Sequence, residues 1–257
     1  MKVIILAAGL GTRLRPMTDE RPKCMVPLCG KPMLMRQIDV LRNSGLNDII
    51  LLGGYRADRL TEIGYPVVIN KRYAKTNMVS TLFCAEEHMK DDEDLLITYG
   101  DIIYEEKVLQ SILSCKAPLC VSVDREWKKL WQLRLADPLS DAETLKLVGN
   151  DKIVELGKKP KGYDEIQGQY MGLIKVSKNF VKQFKRVWNE LDRNAIYDGK
   201  NFDNMYMTSF IQHLINENWD VRAAFTDNGW LEVDSYDDLK LYETMQKEGS
   251  LSKYLKI

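Results

Sequence analysis

Apolar residues in the first half of the chain fall into short runs separated by stretches with helical spacing. Val3 to Ala7, Ile49 to Leu52, Val67 to Asn70, Leu95 to Tyr99 and Leu119 to Val123 have the length and near-continuous apolar character of strands buried on both faces. Between them, Met33 to Ser44, Val79 to Met89 and Lys107 to Ser114 place apolar residues three and four apart, as an amphipathic helix requires. The alternation predicts parallel strands joined by crossover helices, an α/β fold. Gly45 stands where a helix begun at Met33 needs a C′ residue.

From Trp127 to about Val176 the pattern changes to short strand-like pieces, including Lys152 to Leu156 and Tyr170 to Val176. Asp137-Pro138, Gly149-Asn150 and Lys161-Gly162 punctuate them. The sheet is expected to become mixed there. Helical periodicity returns at Phe180 to Leu191 and Tyr206 to Ile215, a strand follows near Val221 to Phe225, and a last helix begins after Ser235, with Asp238 as its capping partner. No repeat, linker or low-complexity tract divides the chain. It reads as one domain, 1–257, whose second half, 126–257, carries a small mixed lobe.

The first strand runs into LAAGLGTRLRP, Leu6 to Pro16, a loop with two glycines, Thr12, Arg13 and Arg15, followed by Lys23. Gly9 and Gly11 allow the backbone to turn tightly, so that successive N–H groups can face a polyanion. Arg13 and Lys23 add charge. Other glycine-rich nucleotide motifs fail on the same residues. A dinucleotide fingerprint needs a third glycine where Leu14 stands, and a P-loop needs Ser or Thr where Pro32 follows Gly30-Lys31.

Composition narrows the setting. The chain has 257 residues, 45% of them hydrophobic, enough for a large core, and its 37 basic residues balance 37 acidic ones. Nothing in that balance points to nucleic acid or a membrane surface, so anion binding has to be local. The apolar run Val3 to Leu10 is too short for a signal-peptide core or a spanning helix, and the expected location is the cytoplasm. Cys24, Cys29, Cys84, Cys115 and Cys120 form no Cys-x-x-Cys pair and are expected to be reduced, structural thiols; His88 and His213 read as packing or surface residues.

Two acidic positions match the basic loop. Asp101 falls at the carboxyl end of the strand Leu95 to Tyr99, where ligands of open parallel sheets sit, and Gly100 leaves room beside it. Glu232 and Asp234, two apart after Trp230, face the same side of a short strand and can converge on one ion. Hard oxygen donors of this kind suit Mg²⁺. A phosphate cradle and a separate acidic cluster are what metal-assisted chemistry on a nucleoside triphosphate requires.

These residues resemble the nucleotidylyltransferase family, which includes sugar-1-phosphate nucleotidylyltransferases and bacterial phosphocholine cytidylyltransferases. The similarity runs through LAAGLGTRLRPMT and RPKCMVPLCGKPML, then NDIILLGGY, YGDIIY and the terminal WLEVDS. The resemblance implies a Rossmann-like α/β fold in which 1–125 binds the nucleotide and 126–257 supplies the acceptor lobe and the last metal ligands. It implies displacement at the α-phosphorus with release of pyrophosphate. Gly11, Thr12 and Arg13 would hold the β- and γ-phosphates and Lys23 the α-phosphate. Asp101, Glu232 and Asp234 would hold Mg²⁺. Leu6, Ala8, Gly9, Gly54, Tyr55 and Ser80 would border the nucleotide, and Asn77, Lys159 and Gly172 the acceptor.

Sugar-specific members carry Glu-Lys-Pro where this chain has VELGKKP, so Lys158 replaces the glutamate and Lys159 keeps the phosphate role. The terminal Glu-x-Asp and KTNMVSTL resemble the branch that uses CTP and small phosphates or phosphonates bearing an amine. A cationic head group needs carboxylates or aromatic faces. Asp203 and Tyr206 in FDNMYM are candidates for that role and equally for ordinary surface residues, and Trp127 and Trp131 are further aromatic candidates for which packing is the preferred reading. The expected partners are CTP and such an acceptor, with monomer or homo-oligomer left open. A sugar-1-phosphate nucleotidylyltransferase is the enzyme alternative. A non-catalytic sensor would have lost the metal acids or Arg13 and Lys23, and all are present.

Overall fold

The computed structural model describes residues 1–257. Nine strands form one sheet in the order 67–69, 49–53, 2–7, 95–99, 169–176, 119–124, 221–226, 152–156 and 145–148. The first four are parallel, as the alternation predicts. Gln169–Val176 then enters antiparallel between Leu95–Tyr99 and Leu119–Asp124, and the hairpin of Leu145–Val148 and Lys152–Leu156 extends the far edge. Strands from both halves of the chain therefore share one mixed sheet.

Every residue of Lys2–Ala7 is buried, because helices cover both faces. Alternate residues feed separate layers: Val3 and Ile5 join a core with Leu34, Ile38 and Trp230, while Ile4 and Leu6 join one with Phe184, Phe210 and Trp188. The helix Met33–Asn43 ends as its sequence predicts, with Gly45 at φ +80° and Leu46 N–H donating to the Leu41 carbonyl at 2.9 Å. Ser235 and Asp238 form the reciprocal capping box of Tyr236–Lys247.

Three expectations are corrected. Trp127–Arg134 is an α-helix, because Trp127, Leu130 and Trp131 bury one face against the core. The stretch Val79 to Met89 is a short helix, Met78–Leu82, that tightens into 3₁₀ turns with a break at Ala85. Cys115 and Cys120, expected to be reduced, are disulfide-bonded; the Lys116-Ala117-Pro118 turn brings their Cα atoms to 6.3 Å. Cys24, Cys29 and Cys84 are free thiols.

Candidate active site

Lys2–Ala7 delivers the glycine-rich loop to the carboxyl end of the parallel strands. Thr18 Oγ1 donates to the Gly11 carbonyl at 2.9 Å and holds the loop's return. Leu6, Ala8 and Gly9 line a cleft with Lys23, Tyr73 and Asn77. Gly54 abuts this cleft so closely that a Cβ there would stand 2.7 Å from the Ala8 carbonyl and 2.5 Å from Tyr73 Cβ; only glycine fits. Tyr55 N–H donates to the same Ala8 carbonyl at 3.2 Å. Thr12 and Arg13 sit in the exposed 3₁₀ turn Thr12–Leu14.

A separate two-stranded ribbon assembles the acids. Trp230–Glu232 pairs antiparallel with Ile102–Tyr104, with Glu232 opposite Ile102, and Val233 N–H donates to the Asp101 carbonyl at 3.1 Å. Residues more than 130 positions apart are thereby fixed side by side. One carboxylate oxygen from each of Asp101, Glu232 and Asp234 lies within 4.8 Å of the others. Asp124, buried, anchors this ribbon by accepting from Trp230 Nε1 at 2.9 Å and from Asn228 N–H at 3.1 Å.

Three cations answer the acids. Lys23 Nζ is 2.7 Å from Asp101 Oδ2 and 2.5 Å from Asp234 Oδ1, and Arg13 reaches Asp234 at 3.2 Å. Arg134, on the helix misread as strand, contacts Glu232 at 2.8 Å, Asp238 at 3.0 Å and Asp234 at 3.5 Å. Burial opposes charge on Lys23, but Asp101 and Asp234 outweigh it and hold the ammonium protonated. Burial also opposes charge on Asp234, yet Lys23, Arg13 and Arg134 keep its carboxyl below the ordinary range. Glu232 is pushed the other way, by burial and then by neighbouring Asp234.

The acidic group can hold a divalent cation. Its donors are all hard oxygens, and Asp101 Oδ1 is buried without a hydrogen-bond partner, an atom that a metal would satisfy. Asp101 lines the first cleft, whereas Glu232 and Asp234 line a second cavity with Trp131, Tyr206 and Gly172. Tyr99 and Met78 border both. The carboxylates thus stand at the junction of two binding spaces.

Several sequence-predicted residues are placed differently. Asn77, expected at the acceptor, lines the first cleft and not the second cavity; it caps Met78–Leu82, and its backbone N–H donates to the Asp203 carbonyl at 2.9 Å. Ser80 lines neither space and donates to that same carbonyl at 3.0 Å. The Asp203 carboxylate is engaged by Arg72. Lys159 donates to the carbonyls of Leu139 and Ser140, at 2.5 and 2.8 Å, outside the second cavity. Trp127 is buried away from it, while Trp131, read as packing, lines it. Arg134 and Glu143 are functional candidates the sequence reading missed. For Arg134 a signal existed, since Trp127, Leu130, Trp131 and Arg134 have helical spacing.

The sequence and the fold have known relatives. A CTP:phosphoglutamine cytidylyltransferase of Campylobacter jejuni is 44% identical over 250 residues, 94% of this chain and 98% of that protein. A choline-phosphate cytidylyltransferase of Streptococcus pneumoniae is 43% identical over 93 residues, 35% of this chain and 41% of that protein. The solved inositol-1-phosphate CTP transferase of T. maritima superposes with a TM-score of 0.73 at 21% identity, covering 100% of this chain and 98% of that one, which shows a common fold. The model of the MobA-like NTP transferase domain matches residues 3–157, the span that holds the glycine-rich loop, Lys23 and Asp101. With that match and a near full-length cytidylyltransferase relative, the chain belongs to the MobA-like NTP transferase family and is a nucleotidyltransferase.

Proposed function

We propose that the protein is a Mg²⁺-dependent cytidylyltransferase that transfers CMP from CTP to a small phosphate or phosphonate bearing an amine and releases pyrophosphate. The observation that carries this reading is the placement of Asp101, Glu232, Asp234 and Lys23 between two cavities, in a chain 44% identical to a phosphoglutamine cytidylyltransferase over nearly its whole length.

The nucleotide enters the first cleft, with its base bordered by Ala8, Gly9 and the Gly54-Tyr55 segment. Its triphosphate lies along the glycine-rich loop, where Gly11, Thr12 and Arg13 receive the β- and γ-phosphates and Lys23 the α-phosphate. The acceptor occupies the second cavity. One of its phosphate or phosphonate oxygens forms a new P–O bond at the α-phosphorus while the bond to the β-phosphate oxygen breaks, and the electron pair leaves with pyrophosphate. The nucleophile is already anionic, so no proton has to be removed and no histidine is needed.

Repulsion between two anions is the obstacle. Arg13 and Lys23 reduce it, and their charges are held close by Asp234 and Asp101 before substrate arrives. Mg²⁺, when held by Asp101, Glu232 and Asp234, supplies further positive charge to the phosphates. Arg134 fixes Glu232 and Asp234 from behind, so these acids need not reorganise.

Lys158, which stands where sugar enzymes carry a glutamate, pairs with Glu155 at 3.0 Å on the surface, and this supports an acceptor other than a sugar. Pyrophosphate release should be measured with each of the common nucleoside triphosphates against phosphoglutamine, 2-aminoethyl phosphate, phosphocholine, 2-aminoethylphosphonate and glucose-1-phosphate. Turnover is expected with CTP and an amine-bearing acceptor, and lost with EDTA. Turnover with glucose-1-phosphate and none with any amine would overturn the reading.

A further inference from the structure

The second cavity holds more negative charge than a metal site explains. Its carboxylates are Glu232, Asp234, Asp141 and Glu143. Glu232 and Asp234 are matched by Arg134, Lys23 and Arg13. Glu143 makes no ion pair: its one side-chain partner is Thr208 Oγ1 at 3.5 Å, and the charges that bear on it, those of Asp141 and Asp198, are negative. A half-buried carboxylate without a cation is costly unless a ligand supplies one.

The position is built rather than incidental. Buried Gln169 grips the Glu143 backbone in both directions, accepting from its N–H at 3.0 Å and donating to its carbonyl at 2.6 Å. Gln169 begins the strand that also carries Gly172, so Glu143 is tied to the sheet beside the reacting centre. Trp131, 5% exposed, lines the same cavity, and its indole N–H has no hydrogen-bond partner. A carboxylate without a cation on the wall of this cavity is a favourable setting for an ammonium group.

We propose that Glu143 receives the ammonium group of the acceptor, and that this contact sets the enzyme's preference for amine-bearing phosphates. The inference rests on the reading that the acceptor carries an amine, and names the residue that recognises it. The acceptor phosphate then lies toward Glu232 and Asp234, with its cationic end toward Glu143 and Thr208. In the free protein burial, then Asp141, pushes the Glu143 carboxyl up to about 7, so it gives up its proton readily when a cation arrives.

The test compares 2-aminoethyl phosphate with ethyl phosphate, which has the same reacting group and no amine, in wild type and in Glu143→Gln. Wild type is expected to prefer the amine in kcat/KM. In the variant that ratio should fall about tenfold to a hundredfold, the worth of one charge-assisted hydrogen bond, and Glu143→Asp should restore part of it. The wild-type KM for 2-aminoethyl phosphate divided by that for ethyl phosphate, each first corrected for the separately titrated ionisation of its own phosphate, should fall as pH rises through about 7. The quotient should be flat in Glu143→Gln. Circular dichroism and CTP binding establish that the variant is folded. A wild-type ratio retained in Glu143→Gln overturns the proposal. A wild type that turns over glucose-1-phosphate and no amine acceptor overturns the reading beneath it, and the proposal with it, before any variant is needed.

Discussion

Arg134 Nη1 lies 2.8 Å from Glu232 Oε2, and the arginine side chain is only 3% exposed. The same guanidinium touches Asp238, whose carboxylate accepts from the backbone N–H groups of Asp234 and Ser235. One buried cation therefore joins the acidic cluster to the N-terminus of the last helix. Lys23 takes Asp101 and the other oxygen of Asp234, so the acids are compensated before any ion or nucleotide binds.

Arg134→Met should destabilise the protein by about 3 kcal/mol, because it leaves several buried carboxylates without their counter-charge. Arg134→Lys should recover only part of that loss, since an ammonium cannot fork between Glu232 and Asp238. Thermal unfolding with and without Mg²⁺ checks both. Mg²⁺ should raise the midpoint of Arg134→Met more than that of wild type, and equal shifts would show that the arginine does not bear on the acids.

Asp101→Asn should cut turnover about a hundredfold or more while the protein stays folded. Lys23 keeps Asp234 as a partner, and an amide of the same shape fills the space. The informative measurement is activity against metal concentration. A curve displaced to higher metal is the expected result, and full activity at wild-type metal levels would remove Asp101 from the ligand set.

The parts of this site that were legible in the sequence are those with local signatures. The loop after the first strand and Asp101 beyond the end of another follow from strand position; Glu232 ends its strand and Asp234 lies beyond it, so the expected period of two does not account for their convergence. The rest depends on distant pairing. Asp203 is chemically a plausible ligand, but Arg72, 131 positions earlier, engages it. Glu143 has no motif around it, and its meaning arises only when Gln169, 26 positions later, fixes it beside the cavity. Arg134 was obscured because its eight-residue helix is flanked by turn signals that favour reading the region as strands and loops.

Gly172→Ala should weaken both stability and acceptor binding. Gly172 has φ +87°, and an added Cβ would stand 2.6 Å from Tyr99 Cδ2, so backbone strain and a ring displacement coincide. A cost of about 2 kcal/mol is expected. Tyr99 borders both binding spaces, and its movement should raise KM for the acceptor along with that for CTP. Urea unfolding and initial rates measure the two effects, and unchanged KM values would show that Tyr99 does not shape either space.

Glu143 should make the free protein less stable as pH rises. Its carboxyl sits at about 7 in the folded state against an ordinary value of 4.5, through burial and then Asp141. Between those values the folded state holds more protons than the unfolded one, so unfolding free energy declines with increasing pH. The loss begins near 4.5 and is complete above 7, amounting to about 3 kcal/mol at most. Glu143→Gln removes the ionisation, so its melting temperature should exceed that of wild type at pH 8 and match it near pH 4.5. An amine-bearing acceptor should narrow the difference at pH 8, because an ammonium beside Glu143 stabilises the ionised form in wild type alone. If the variant is no more stable than wild type at pH 8, the surroundings of Glu143 do not oppose its charge.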